Sequence, residues 1–101
     1  MNKAMFDRDK YKKTVPTQSL KALANEERFQ ILLLLHQKNQ LCAQDIQKYF
    51  YLEQSTTSHH LKLLKDVGLI QATKKGRHIY YAFQKEVYEA LMGQLQQLFD
   101  L

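Results

Sequence analysis

"STTSHHLKLLKDVGLI", residues 55–70, is the stretch whose reading decides the fold. Thr57, Leu61 and Leu64 recur at helical spacing and form one apolar face, while Ser55, Ser58, His59 and Lys62 share the opposite, polar one. The spacing predicts a helix from near Gln54 to about Val67, with Gly68 suited to end it. Such a helix buries one face against a body and leaves the other free for a partner. Adjacent side chains on a helix point about 100° apart, so His59 and His60 are poorly placed to chelate one metal ion together. His60 lies at the edge of the apolar face.

Upstream, a short helix is expected over about residues 42–50, with Ile46, Tyr49 and Phe50 on its apolar side, and "YLEQS" is a tight connection. A short helix, a tight turn and a polar-faced second helix make a helix-turn-helix. Downstream the apolar period changes to two. "LIQAT" and "HIYYAF" read as strands, the second with Ile79, Tyr81 and Phe83 on one face and Tyr80 and Ala82 on the other. "KKGR" between them is a glycine-containing turn, so the pair is a hairpin with a basic tip, a wing beside the helices.

Towards the N-terminus, Asn25 is a good cap, Glu26 and Glu27 suit a first helical turn, and Ile31, Leu32 and Leu35 follow at buried-face spacing. "TQSLKALAN" after Pro16 reads as another helix, with Leu20, Leu23 and Ala24 on one face, and residues 1–13 as a polar arm or helix. A last helix is expected over residues 85–99. Its Tyr88, Leu91, Leu95 and Leu98 form a coiled-coil-like seam, with Met92 and Phe99 beside it. The expected fold is mainly α with a small β-hairpin, a winged helix-turn-helix in the order α-α-α-α-β-β-α. It divides into an arm (1–16), a DNA-binding domain (17–84) and a dimerisation helix (85–101).

Composition narrows the function. The chain has 101 residues, 45% hydrophobic and 25% charged, as expected of one folded domain. Its net charge of +5 and isoelectric point near 9.4 favour an anionic partner. The cations cluster: in residues 54–83, Lys62, Lys65, Lys74, Lys75 and Arg77 face only Asp66, whereas after residue 84 acids predominate. "MNKAMFDRDKYKK" has no apolar core of signal-peptide length and "ILLLL" is too short to span a bilayer, so a cytoplasmic protein without a membrane partner is expected. With one cysteine, Cys42, no disulfide framework exists. There is no glycine-rich phosphate loop, paired-carboxylate motif or nucleophile–base set, so catalysis is not expected and no cofactor is implied.

"LKALANEERFQILLLL", "STTSHHLKLLKDVGLI" and "KKGRHIYYAF" together resemble the ArsR family of bacterial winged-helix repressors. The resemblance spans about residues 18–84, with three motifs in the right order and spacing. It implies a cytoplasmic homodimer that binds double-stranded operator DNA, with the terminal seam of Tyr88, Leu91, Met92, Leu95, Leu98 and Phe99 as its interface. Twofold symmetry then implies a palindromic operator.

Within that frame Gln54, Ser55, Thr56, Ser58, His59, His60 and Lys62 are the candidate DNA contacts of the second helix, and Lys74, Lys75 and Arg77 those of the wing. The motif "S-x-H-L" has its histidine at His60, read as structural or phosphate-touching, and the family commonly has arginine where His59 stands. Histidine donates fewer hydrogen bonds to guanine than arginine, so His59 is expected to alter preference or weaken affinity.

Two metal sites are familiar in the family. The first needs "C-x-C" at the start of the short helix, where this chain has Cys42 and Gln44. The second pairs Asp and His with His and Glu in the last helix, but no histidine follows His78, and Glu86 and Glu89 alone do not make a transition-metal site. No bound metal is expected. Cys42, near a helix start, is a candidate redox or electrophile sensor, or an idle replacement for a Ser or Thr cap. The alternatives to a metal-independent repressor are a thiol-responsive one and a winged-helix module that binds proteins instead of DNA.

Overall fold

In the computed structural model, which describes residues 6–12 and 14–100, the elements run α1 (Arg8–Tyr11), α2 (Thr17–Leu23), α3 (Glu26–Lys38), β1 (Leu41–Cys42), α4 (Ala43–Phe50), α5 (Gln54–Asp66), β2 (Ile70–Lys75), β3 (His78–Phe83) and α6 (Lys85–Leu98). Of the arm expected over residues 1–13, α1 is a single turn, and residues 1–5 and 13 lie outside the described ones.

The local chemistry explains the helix ends. Asn25 is in extended backbone and its side-chain oxygen accepts a hydrogen bond from the Arg28 backbone N–H at 2.8 Å, so α3 starts capped, with Glu26 and Glu27 at the positive end of its dipole. At the end of α5, Gly68 takes φ 79°. Its N–H donates to the Lys65 carbonyl at 2.9 Å, and the Leu69 N–H to the Leu64 carbonyl at 3.0 Å. These two bonds form a Schellman cap, which requires the left-handed backbone that glycine adopts without strain. Gly76, φ 62°, supplies the same freedom in the two-residue turn closing the β2–β3 hairpin.

The core is shared by Ile31, Leu32 and Leu35 of α3, Ile46 of α4, Leu61 and Leu64 of α5, Ala22 of α2, and Leu69 and Ile70 at the entry to β2. Fully burying one Leu or Ile side chain contributes about 1.5–3 kcal/mol, so this cluster holds the helix-turn-helix rigid. Thr57 is 0% exposed and its hydroxyl donates to the Glu53 carbonyl at 3.0 Å, which makes it tolerable in that core.

Three expectations change. The order is α-α-α-β-α-α-β-β-α, because Leu41 and Cys42 pair antiparallel with Tyr81 and Tyr80 and widen the hairpin into a sheet ordered β1-β3-β2. Cys42 therefore belongs to a strand and is the residue before α4. Tyr49 is not part of the α4 apolar face: it is 52% exposed, and only Ile46 of that helix is fully buried. Ile79 shares the strand face of Tyr81 and Phe83, yet it is 46% exposed because the hairpin runs past the edge of the core.

The described chain is elongated, with extents of 62 × 25 × 19 Å and a radius of gyration of 16.8 Å, against about 13 Å for a compact domain of this length. The arm and α6 lie together at one end, where the Gln94 side-chain amide donates to the Thr14 carbonyl at 2.9 Å.

Candidate nucleic-acid interface

α5 is held by Thr57, His60, Leu61 and Leu64, the four residues it buries. Gln54, Ser55, Thr56, Ser58, His59 and Lys62 are all exposed. The polar face read from the sequence is thus presented to solvent as one surface, starting at the N-terminus of the helix.

A cleft runs along one side of it. Gln54 and Ser58 of α5 line this cleft with Gln44 and Gln47 of α4, and with Arg77, His78, Ile79 and Tyr81 of the wing. The fold thereby brings a predicted wing cation to two predicted recognition residues. Amide side chains present a donor and an acceptor at once, a hydroxyl adapts to either, and a guanidinium forks onto phosphate or guanine. Gln44, Gln47, His78 and Ile79 were not among the sequence candidates. The amides lie one helical turn apart, and that spacing is the signal that could have found them.

The remaining cations differ in freedom. The Lys62 ammonium meets the Asp66 carboxylate at 2.7 Å, but both side chains are largely exposed, so the pair is weak and Lys62 can exchange it for a phosphate. Lys74 and Arg77 are exposed. Lys75 is tied back: its ammonium donates to the Gln40 side chain at 3.1 Å and lies 5.7 Å from the centre of the Tyr80 ring.

His60 does not belong with these surface groups. It is 6% exposed, Nδ1 lies 3.2 Å from Arg28 Nη1, and Nε2 lies 2.7 Å from Glu27 Oε1. With both nitrogens engaged inside the protein, it sits as a structural histidine, unlike its exposed neighbour His59.

Against known proteins, the model of the arsR family of bacterial regulatory proteins matches residues 25–72, which take in α3, α4, α5 and the start of β2. The arsenical resistance operon repressor of Bacillus subtilis is 36% identical over 77 residues, covering 76% of this chain and 73% of the relative. The chain belongs to the ArsR family. The transcriptional activator HlyU of Vibrio cholerae is 34% identical over 80 residues, covering 79% of this ArsR-family chain and 73% of that one. Among solved structures, the homodimeric winged helix-turn-helix DNA-binding domain of a Mycobacterium bovis regulator superposes with a TM-score of 0.71 at 29% identity, covering 98% of this chain and 91% of that one. This member of the family is a transcriptional regulator with a winged-helix fold, and not an enzyme.

Where metal-sensing members of the ArsR family place cysteines, this one has a thiol that donates to the Asp45 carboxylate at 3.2 Å, in a residue only 8% exposed. That bond requires the thiol proton. Among the described residues no three His, Cys, Asp or Glu side chains stand together as a metal-ion site, and no helix is long and apolar enough to cross a membrane. In α6, Leu91 is already buried within the protomer and Tyr88 packs on the core beside Phe83, ring centroids 5.8 Å apart. Met92, Leu95 and Leu98 are half-buried, and Phe99 is 88% exposed.

Proposed function

We propose that this ArsR-family chain is a homodimeric repressor that binds a palindromic operator without needing a metal ion. In this reading α5 enters the major groove, Gln54, Ser55, Ser58 and His59 meet base edges, and Lys62, Lys74 and Arg77 hold phosphates. The observation that carries it is the cleft between recognition helix and wing, where Gln54, Ser58 and Arg77 converge beside an exposed polar helix face. Thr56, at the helix start, and Lys75, once freed from Gln40, remain backbone contacts of lesser weight. The dimer is supported by the elongated protomer, by the exposed Phe99 at the end of a half-buried apolar row, and by the homodimeric neighbour.

Repression fits the arsenical resistance repressor among the relatives, while HlyU is named an activator. A reporter placed behind the bound sequence separates the two, since a repressor raises its output when deleted. The binding test is a titration of the reduced protein against duplexes drawn from a random-sequence pool, with and without a chelator. Selection of a twofold-symmetric sequence, indifferent to chelation, is expected. Failure to enrich any sequence would contradict the reading.

A further inference from the structure

We infer that Arg28 of α3 is a positioning residue for DNA recognition, acting through His60, with Glu27 accepting the ring proton on Nε2, and that only the neutral Nε2–H form of His60 holds α5 in its reading position. The inference rests on α5 being the recognition helix.

Arg28 is a charged residue inside the core, 8% exposed, and each of its three side-chain nitrogens makes a hydrogen bond. Nε donates to the Ala22 carbonyl at 2.6 Å and Nη2 to the Lys21 carbonyl at 3.0 Å, capping the last turn of α2 with a cation. Nη1 points at His60 Nδ1, 3.2 Å away. A guanidinium has only donors, so Nδ1 must be the acceptor and carry no proton. The ring proton then stands on Nε2 and is donated to Glu27 Oε1 at 2.7 Å. Partner chemistry alone fixes the tautomer. One ring therefore locks three helices together: α2 through Arg28, α3 through Arg28 and Glu27, and α5 through its own backbone.

His60 follows directly on His59, which points from the DNA-facing side, so the roll of α5 about its axis depends on what holds His60. The charged and titratable groups facing His60 are Glu27 and Arg28 of α3 and the His59 ring, 6.4 Å away; α2 contributes carbonyls to Arg28. The Glu27 carboxylate accepts from Nε2–H, whereas Arg28 offers only donors to Nδ1. A second proton on Nδ1 would set N–H against N–H with no acceptor between them, so the ring must leave Arg28 when it is protonated. Acid thus keeps the Glu27 bond, breaks the Arg28 bond and releases the roll of α5.

The first arm of the test needs no variant. Nitrogen NMR of the wild-type His60 ring at neutral pH is expected to show Nε2 protonated and Nδ1 bare; the opposite tautomer would overturn the inference. The second arm measures binding to a duplex selected from a random pool by the wild-type chain, from about pH 8 to about pH 5.5, the histidine range. H60N offers Arg28 an acceptor in place of Nδ1, H60Q offers Glu27 a donor in place of Nε2, and neither titrates. Thermal melts establish that each variant is folded.

At the alkaline end H60N is expected to bind within about threefold of wild type and H60Q about tenfold more weakly, as for loss of one buried hydrogen bond. His36, His59 and His78 are common to wild type and H60N, so the ratio of wild-type to H60N affinity isolates His60. That ratio should fall about tenfold on acidification. A flat ratio, or equal affinity of H60N and H60Q, would overturn the positioning role. No sequence-selective binding by the wild type at any pH would instead bring down the recognition-helix reading, and the positioning role with it.

Discussion

His59 and Tyr51 are the residues on which the account is most exposed. His59 points out of α5 where the family commonly carries arginine, and a histidine offers fewer donors to a guanine edge. Replacing it by alanine is predicted to cost about 1–3 kcal/mol at one base pair of the selected operator and to relax preference there, as a binding-site selection would show. Unchanged affinity and preference would mean the reading face is misplaced. Tyr51 ends α4 in the left-handed region, φ 54° and ψ 42°, and is 95% exposed, so no packing offsets its strain. Tyr51→Gly is therefore predicted to stabilise the fold by about 1 kcal/mol in chemical denaturation. The sequence shows why His59 faces out but not why His60 faces in. Its partners Arg28 and Glu27 are 32 and 33 residues away, on another helix, and periodicity carries no signal for a buried arginine.

Among the elements, α3 and α5 were legible because their sequences mark an end and an apolar face: Asn25 caps the start of α3, Gly68 ends α5, and Leu61 and Leu64 mark the buried side of α5. β1 was not, since two residues, Leu41 and Cys42, are too few to show an alternation. The wing was legible as a basic hairpin, but its cations looked equivalent. The structure separates them, because Lys75, exposed like Lys74 and Arg77, is also bonded to Gln40, 35 residues away. Replacing Lys74 or Arg77 by alanine is predicted to weaken binding alike on all sequences and to lower the salt slope by about one unit each. Lys75→Ala should change that slope less. Affinity measured over a salt series checks both, and equal effects of all three would show that the Gln40 tie does not restrain Lys75 on DNA.

At the scale of the whole molecule the question is assembly. In the proposed dimer, an elongated protomer whose α6 carries half-buried Leu95 and Leu98 and an exposed Phe99 meets a second copy along that helix. Leu98→Glu is predicted to raise the dimer dissociation constant at least about tenfold in analytical ultracentrifugation, since it places a charge in the proposed apolar seam. The heptad spacing marked α6 as the seam, yet could not tell which residues a protomer keeps for itself. Tyr88 packs on the core beside Phe83, and Leu91 is buried within the protomer. The central claim is that two such protomers present two α5 helices and two wings to one duplex. A hydroxyl-radical footprint of the reduced protein on its selected operator tests this most directly. The account predicts two symmetric protected half-sites whose centres lie one helical turn, about 10 base pairs, or a multiple of it apart. A single asymmetric footprint, or protection that does not depend on sequence, would contradict it.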